Sequence, residues 1–161
     1  GLTNTNRLAG FCDEMKKAGL ETPEEYIYLA PASNPAGGRE GTNYFLSLRE
    51  KPTAIVCYND FIAAGVYNAL FEKGLRIPED VSVTGFDNIT IAAYLSPPLT
   101  TLHQCKYELG VGAAEMMLEM LELRRSRPGE EAITPRKESI KGTLYERAST
   151  GRPRVESGNP L

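Results

Sequence analysis

The chain has no tryptophan, one histidine and only three cysteines among its 161 residues. Cys12, Cys57 and Cys105 lie far apart and form no C-x-x-C pair, which argues against both a disulfide framework and a zinc site. They read as buried free thiols. His103 has no second ligand at a metal-binding spacing and reads as a structural residue. No apolar run approaches the roughly 18 residues of a membrane span. The first residues lack the basic start and apolar block of a secretory leader. Absent too are a G-x-G-x-x-G loop after a strand, a Ser/His pair, and a nucleophile set beside a base. No cofactor is implied.

Basic residues are scarce over most of the length. Residues 1–123 carry 9 basic and 16 acidic side chains, a balance of −7. Such a body repels a phosphate backbone and makes a poor direct nucleic-acid surface. Residues 124–161 reverse the balance with 9 basic against 5 acidic. That stretch reads as a solvated linker and a frayed terminus.

What is present is a 41% hydrophobic composition, able to bury one domain's core. Asn4 or Asn6 caps an expected helix running to about Ala18, with Leu8, Phe11, Cys12 and Met15 on one face and Gly19 as its stop. Tyr26–Ala30 is a short β-rich run. PASNPAGGREG, residues 31–41, reads as loop, and a helix follows from about Glu40 to Arg49. Thr53–Tyr58 (TAIVCY) is nearly all apolar, as a strand covered on both faces should be. Asp60–Lys73 is a helix closed by Gly74. It has two apolar stripes, one of Ile62, Val66 and Leu70, the other of Ala64, Tyr67 and Phe71. The second is either more core or a surface for a partner subunit.

Val81–Phe86 is the third strand, followed by a short helix near Ile89–Tyr94 and the turn SPPLTT. Thr100–His103 is a further short strand. Tyr107–Leu123 is a long amphipathic helix whose methionines read as core filler. Ser139–Tyr145 adds a last strand. Short strands alternating with helices specify an α/β fold, a parallel sheet flanked by helices.

In such sheets polar loops gather at the carboxyl ends of the strands. Asn59 and Asp60 follow TAIVCY; Asp87 and Asn88 follow VSVTGF. If a strand precedes Gly1, then Thr3, Asn4 and Arg7 join the same rim. These groups hold rather than break: a carboxylate accepts from two neighbouring hydroxyls, an arginine fork donates, and an asparagine amide does both. Each has a plainer role available. Asp60 reads as the cap of the helix it begins, and Asp87 is undecided between capping and ligand contact on position alone.

PTAIVCYNDFIAAGVYNALFEKGLRIPEDVSVTGFDN, followed by LSPPLTTLHQ and then YELG with a long helix, closely resembles the C-terminal part of the LacI/GalR bacterial transcription regulators. NRLAGFCDEMKKAGL is similar to that family's R-x-x-G-F helix, and the match runs from about Thr3 to Tyr145. The resemblance implies a periplasmic-binding-protein-like (type I) C-terminal subdomain at residues 1–104, its first strand and the N-terminal subdomain missing. Residues 105–123 become the helix that crosses to that other subdomain, 124–138 a linker, 139–146 the terminal strand and 147–161 a flexible tail. The start at Gly1 rather than Met fits a piece of a longer protein.

Carried over by position, the family's effector contacts fall on Thr3, Arg7, Asn59, Asp87 and Gln104, while Asn88 starts the short helix. The family function implied is effector sensing by a cytoplasmic regulator that is no enzyme. A sugar or similar small polar molecule would be the effector. The homodimer would meet through Ala64, Tyr67, Phe71, Ile91, Tyr94 and Leu95, and operator DNA would be bound by a helix-turn-helix outside this chain. No membrane is involved. One departure is that residues 31–41 offer no aromatic where the family often stacks one on its effector. The rival readings are a sugar-binding component of a transporter or chemoreceptor, and a glycoside-processing enzyme using Asp60 and Asp87 as acid and base.

Overall fold

The computed structural model describes residues 2–126 and 137–153, with side chains from Thr5 onward. The described residues fall into two compact units, one reaching to Leu102 and resuming at Leu144, the other spanning His103–Thr143.

Helix α1 spans Leu2–Lys17. It is already under way at Leu2, so neither Asn4 nor Asn6 is its cap. Its end is where the sequence places it. Gly19 takes φ +74°; its N–H donates to Lys16 O and that of Leu20 to Met15 O, both at 3.0 Å. This double closure needs the left-handed residue that glycine supplies without strain.

Tyr26–Ala30 is not a strand. Glu24–Tyr26 forms a single 3-10 turn, and the Tyr28 ring packs on Tyr44 and Phe45, with centroids 5.4 and 6.4 Å away. The aromatic run is used for packing on a helix rather than for a ladder.

That helix, α2, is Pro35–Ser47, five residues ahead of the expected start at Glu40. Asn34 caps it, its side chain accepting from Gly37 N–H at 3.1 Å, and Pro35 takes the first turn. One of the glycines that suggest a loop, Gly38, serves a close helix crossing together with Gly65 of the next helix. A Cβ on Gly38 would lie 2.1 Å from Ile62 O, and one on Gly65 1.9 Å from Pro35 O. Backbone meets backbone there, and only glycine permits it.

Three parallel strands follow in order, β1 (Ala54–Val56), β2 (Ser82–Phe86) and β3 (Thr100–His103), with β4 (Thr143–Tyr145) next to β3 in the sheet. Ala54 pairs with Ser82 and Thr84 with Thr100. Helix α3, Asp60–Glu72, lies between β1 and β2 in sequence and buries eight of its residues. Ala63, Val66, Tyr67 and Leu70 join Ile55, Val83 and Leu99 in the core. Only one side of β1 is covered, contrary to expectation: Ile55 is buried but Val56 is 60% exposed.

Part of the expected tail belongs to this core. Ser149 is fully buried. Its hydroxyl donates to Val83 O at 2.6 Å and accepts from Thr100 N–H at 2.8 Å, and its carbonyl accepts from Val83 N–H. Residues 147–151 are therefore tied to β2 and β3 rather than flexible; most of the basic linker and the last eight residues lie outside the described range.

The second unit is dominated by α4, Lys106–Ser126, which extends past the expected end at Leu123 and has no buried residue. Met117, Met120 and Leu121 are 65%, 45% and 52% exposed, so among the described residues these methionines are not core filler. Among the described residues no helix is long and apolar enough to cross a membrane.

Candidate functional site

The carboxyl ends of β1 and β2 and the first turns of α1 deliver a compact polar constellation. Arg7 is its centre. Its guanidinium carbon lies 4.4 Å from the Tyr58 ring centroid and 3.7 Å from that of Phe86. One Nη donates to Tyr58 O at 2.7 Å; the other stands 3.9 Å from Asp87 Oδ1. Two aromatic faces and one carbonyl fix a planar cation that is otherwise among the most mobile side chains. The Asp87 separation exceeds hydrogen-bonding range, so this pair attracts without closing on itself. The two side chains are 22% and 24% exposed.

Asp87 sits in an unusual backbone. Its φ is +105° and that of Asn88 is +47°. Two successive non-glycine residues at positive φ carry strain that surrounding contacts must offset. Those contacts are visible. Asp87 N–H donates to Leu102 O at 2.8 Å. Ile89 N–H donates to Asp60 Oδ2 at 2.8 Å, and Asn88 Oδ1 accepts from Arg147 Nη2 at 2.8 Å.

The cap of α3 expected of Asp60 falls to its neighbour. Asn59 caps α3, its Oδ1 accepting from Ile62 N–H at 2.9 Å. Asp60 caps nothing. It is fully buried and also accepts from Thr101 Oγ1 at 2.6 Å. Burial pushes its carboxyl above the ordinary range, while the Thr101 and Ile89 hydrogen bonds pull it back. A group so enclosed has no path to a substrate, which removes it from any acid–base pair with Asp87.

Asn88 does not start the short 3-10 helix Thr90–Ala93. The cap position belongs to Ile89, with no side-chain cap bond, and the Asn88 side chain turns to Arg147.

Of the five expected effector contacts, the structure brings Arg7, Asn59 and Asp87 to one rim, with the acceptor oxygen of Asn59 committed to its helix. Thr3 falls on α1 among residues whose side chains lie outside the description. Gln104 is half-buried and belongs to the second unit.

The expected partner surface is thinner than six residues. Tyr67 is 1% exposed and donates to Pro97 O at 2.9 Å, with burial pushing its phenol up to about 12. Ala64 is buried too, and Leu95 packs against the core. Those three are used by their own chain. Phe71, Ile91 and Tyr94 are exposed, at 48%, 41% and 81%.

Sequence reasoning missed Tyr58 and Phe86, whose signal was an aromatic at the tip of each strand beside its polar pair. It also missed Thr101 and Arg147, for which no local pattern exists. Among the described residues no three His, Cys, Asp or Glu side chains gather as metal ligands would.

Comparison with known proteins shows the family of the chain. Residues 2–150 match the family model described as periplasmic binding protein-like domain. The HTH-type transcriptional repressor PurR of Actinobacillus pleuropneumoniae is 43% identical over 120 residues, covering 74% of this chain and 35% of that protein. Its namesake in Klebsiella pneumoniae strain 342 is 39% identical over 134 residues, 83% of this chain and 39% of that one. The chain thus spans little more than a third of these curated relatives.

Among solved structures, a putative LacI transcriptional regulator from Bacillus cereus subsp. cytotoxis superposes with a TM-score of 0.81 at 32% identity, over 92% of this chain and 50% of that one. A LacI family regulator from Enterococcus faecalis V583 with bound ribose gives 0.70, also at 32% identity, over 91% and 49%. These relatives are named as regulators, not as enzymes.

Proposed function

Because this chain belongs to the periplasmic binding protein-like family, as the effector-binding domain of a LacI/GalR-type transcriptional regulator, we propose that its Arg7–Asp87 rim is one wall of an effector cleft. The observation that carries this reading is the state of Arg7. A guanidinium held between Tyr58 and Phe86, 3.9 Å from a carboxylate, is an oriented donor beside an oriented acceptor. That pair suits a small molecule with adjacent hydroxyls, which donate to the carboxylate and accept from the fork, or with an amino group that donates to the carboxylate beside an oxygen that accepts from the fork.

A sugar or sugar derivative fits this chemistry, and the ribose held by the Enterococcus relative supports that class. The effector would alter operator affinity by favouring one arrangement of the whole regulator over another. Operator DNA would be gripped by a helix-turn-helix that this acidic stretch does not supply, in the cytoplasm. A homodimer through Phe71, Ile91 and Tyr94 would pass the change on. Thr3 and Gln104 remain proposed contacts beside Arg7 and Asp87.

The test is a thermal-shift screen of the full-length regulator against ribose and other free sugars, nucleobases and sugar phosphates, repeated with Asp87→Asn. Asparagine tolerates the left-handed backbone, so the fold is kept while the charge is removed. Affinity for the responding compound is expected to fall at least about tenfold, the loss of one charged hydrogen bond. An unchanged shift would remove Asp87 from the site.

A further inference from the structure

The strained turn under Asp87 is held by two side chains from distant parts of the chain, neither of which reaches the rim. Asp60, from the start of α3, grips it from below. Its Oδ2 accepts from Ile89 N–H at 2.8 Å, and its Oδ1 from the Thr101 hydroxyl at 2.6 Å. Thr101 Oγ1 in turn lies 3.4 Å from Asn88 N–H. Arg147, beyond the second unit in sequence, grips it from the side. Nη2 donates to Asn88 Oδ1 at 2.8 Å and Nη1 to Leu99 O at 2.7 Å, while its own N–H donates to Thr100 Oγ1 at 2.9 Å.

Gly85 shows that room for this arrangement is built into β2. A Cβ there would lie 2.2 Å from Asp60 Oδ1 and 2.7 Å from Leu99 Cδ2. The space that any other residue would fill is the space the Asp60 carboxylate occupies. A buried carboxylate costs free energy unless its oxygens are matched by donors. Here the matching donors are the groups that fix residues 87–89.

We propose that Asp60 and Arg147 are positioning residues for the Asp87 half-site, a two-sided clamp that holds Asp87 and Asn88 at positive φ and so aims the Asp87 carboxylate beside Arg7. This rests on the reading of Asp87 as an effector contact. The clamp joins the rim to the returning C-terminal segment. The grip that aims Asp87 thus depends on a residue beyond the 103–143 unit in sequence, which a reading of the rim alone does not reveal.

The experiment uses the full-length regulator with Asp60→Asn, Asp60→Ala, Arg147→Lys and Arg147→Met. The first measurement is amide hydrogen exchange, which needs no ligand. Exchange at Asp87, Asn88 and Ile89 is expected to quicken at least about tenfold in Asp60→Ala and Arg147→Met, less in Asp60→Asn and Arg147→Lys, with the α3 amides unchanged. If Asp60→Ala does not fold, the other three variants carry the comparison.

The second measurement titrates ribose, adenine and ribose 5-phosphate in turn, in a double-mutant cycle of Arg147→Met with Asp87→Asn. Arg147→Met alone is expected to weaken the responding probe about tenfold, and less than about twofold once Asp87 is already substituted. Equal losses in both backgrounds, or turn amides that exchange as in the parent, would overturn the clamp. Loss with Asp87→Asn but none with Arg147→Met overturns it alone and leaves the site reading standing. No loss with Asp87→Asn sinks the site reading, and the positioning role with it. If none of the three probes binds, the exchange comparison decides.

Discussion

Helices α3 and α4 are both rich in apolar residues at helical spacing, yet α3 buries eight residues and α4 none. Pattern alone does not separate them. What separates them is the presence of a partner among the described residues. Helix α3 has α2 across Gly65 and the sheet beneath Leu70, Val66 and Ala63. In the second unit the nearest neighbour of Gly112 is the tip of Glu138, 3.7 Å from where its Cβ would stand. A hydrophobic stripe states what a helix needs, not whether the same chain supplies it.

The same substitution placed in each helix turns that contrast into a measurement. Leu70→Ala carries the largest expected effect, a loss of about 3 kcal/mol, because Leu70 is fully buried and its removal leaves a cavity among close-packed neighbours. Urea unfolding followed by circular dichroism is the suitable probe, since the chain contains no tryptophan. A loss below about 1 kcal/mol would mean that the α3 core is looser than its packing indicates.

A middle-sized effect concerns the charged residue at the head of α3. The Asp60 carboxyl titrates above its ordinary 3.8 because it is buried. Between that value and the raised one, the folded chain holds a proton that the unfolded chain has released. Raising the pH through this window therefore favours unfolding, so Asp60's contribution to stability falls as pH rises and levels off above the folded value. Asp60→Asn should remove that slope from the pH dependence of the urea midpoint while shifting its level less than Leu70→Ala does. A slope that survives in the variant would place the titration elsewhere.

The legible parts of the molecule were those written in local code. Gly19 and Gly74 mark helix ends through positive φ, and Thr100–His103 is the strand expected after SPPLTT. The Arg7–Asp87 rim followed from strand ends and residue type. What stayed hidden depended on contacts far apart in sequence. Gly38 reads as loop because the helix crossing that needs it involves Ile62, 24 residues on. Asn59 and Asp60 are adjacent polar residues before a helix, and either suits a cap. Only Thr101 and Ile89, brought near by the sheet, draw Asp60 inward. Arg147 sits in a stretch whose composition resembles a tail, and its partners Asn88 and Leu99 lie 59 and 48 residues away. The exposure of α4 was hidden for the opposite reason, since no sequence pattern marks an apolar stripe that stays uncovered among the described residues.

The smallest expected effect is the one that tests the comparison most sharply. Leu121 on α4 is 52% exposed and lies on the same apolar stripe as Met117 and Met120. Leu121→Ala removes little buried surface in this chain and gains slightly in helix propensity, so its cost should stay within about 0.5 kcal/mol. In a full-length regulator of the kind proposed above, the same substitution should cost about 2 kcal/mol, because a second subdomain would cover the stripe. A cost above about 1 kcal/mol in the 161-residue chain itself would show that something covers α4 in solution. If that cost grew with protein concentration, the cover would be a second copy, since association stabilises by mass action. If it did not, the cover would come from the chain's own residues, and the contrast between the two helices would disappear.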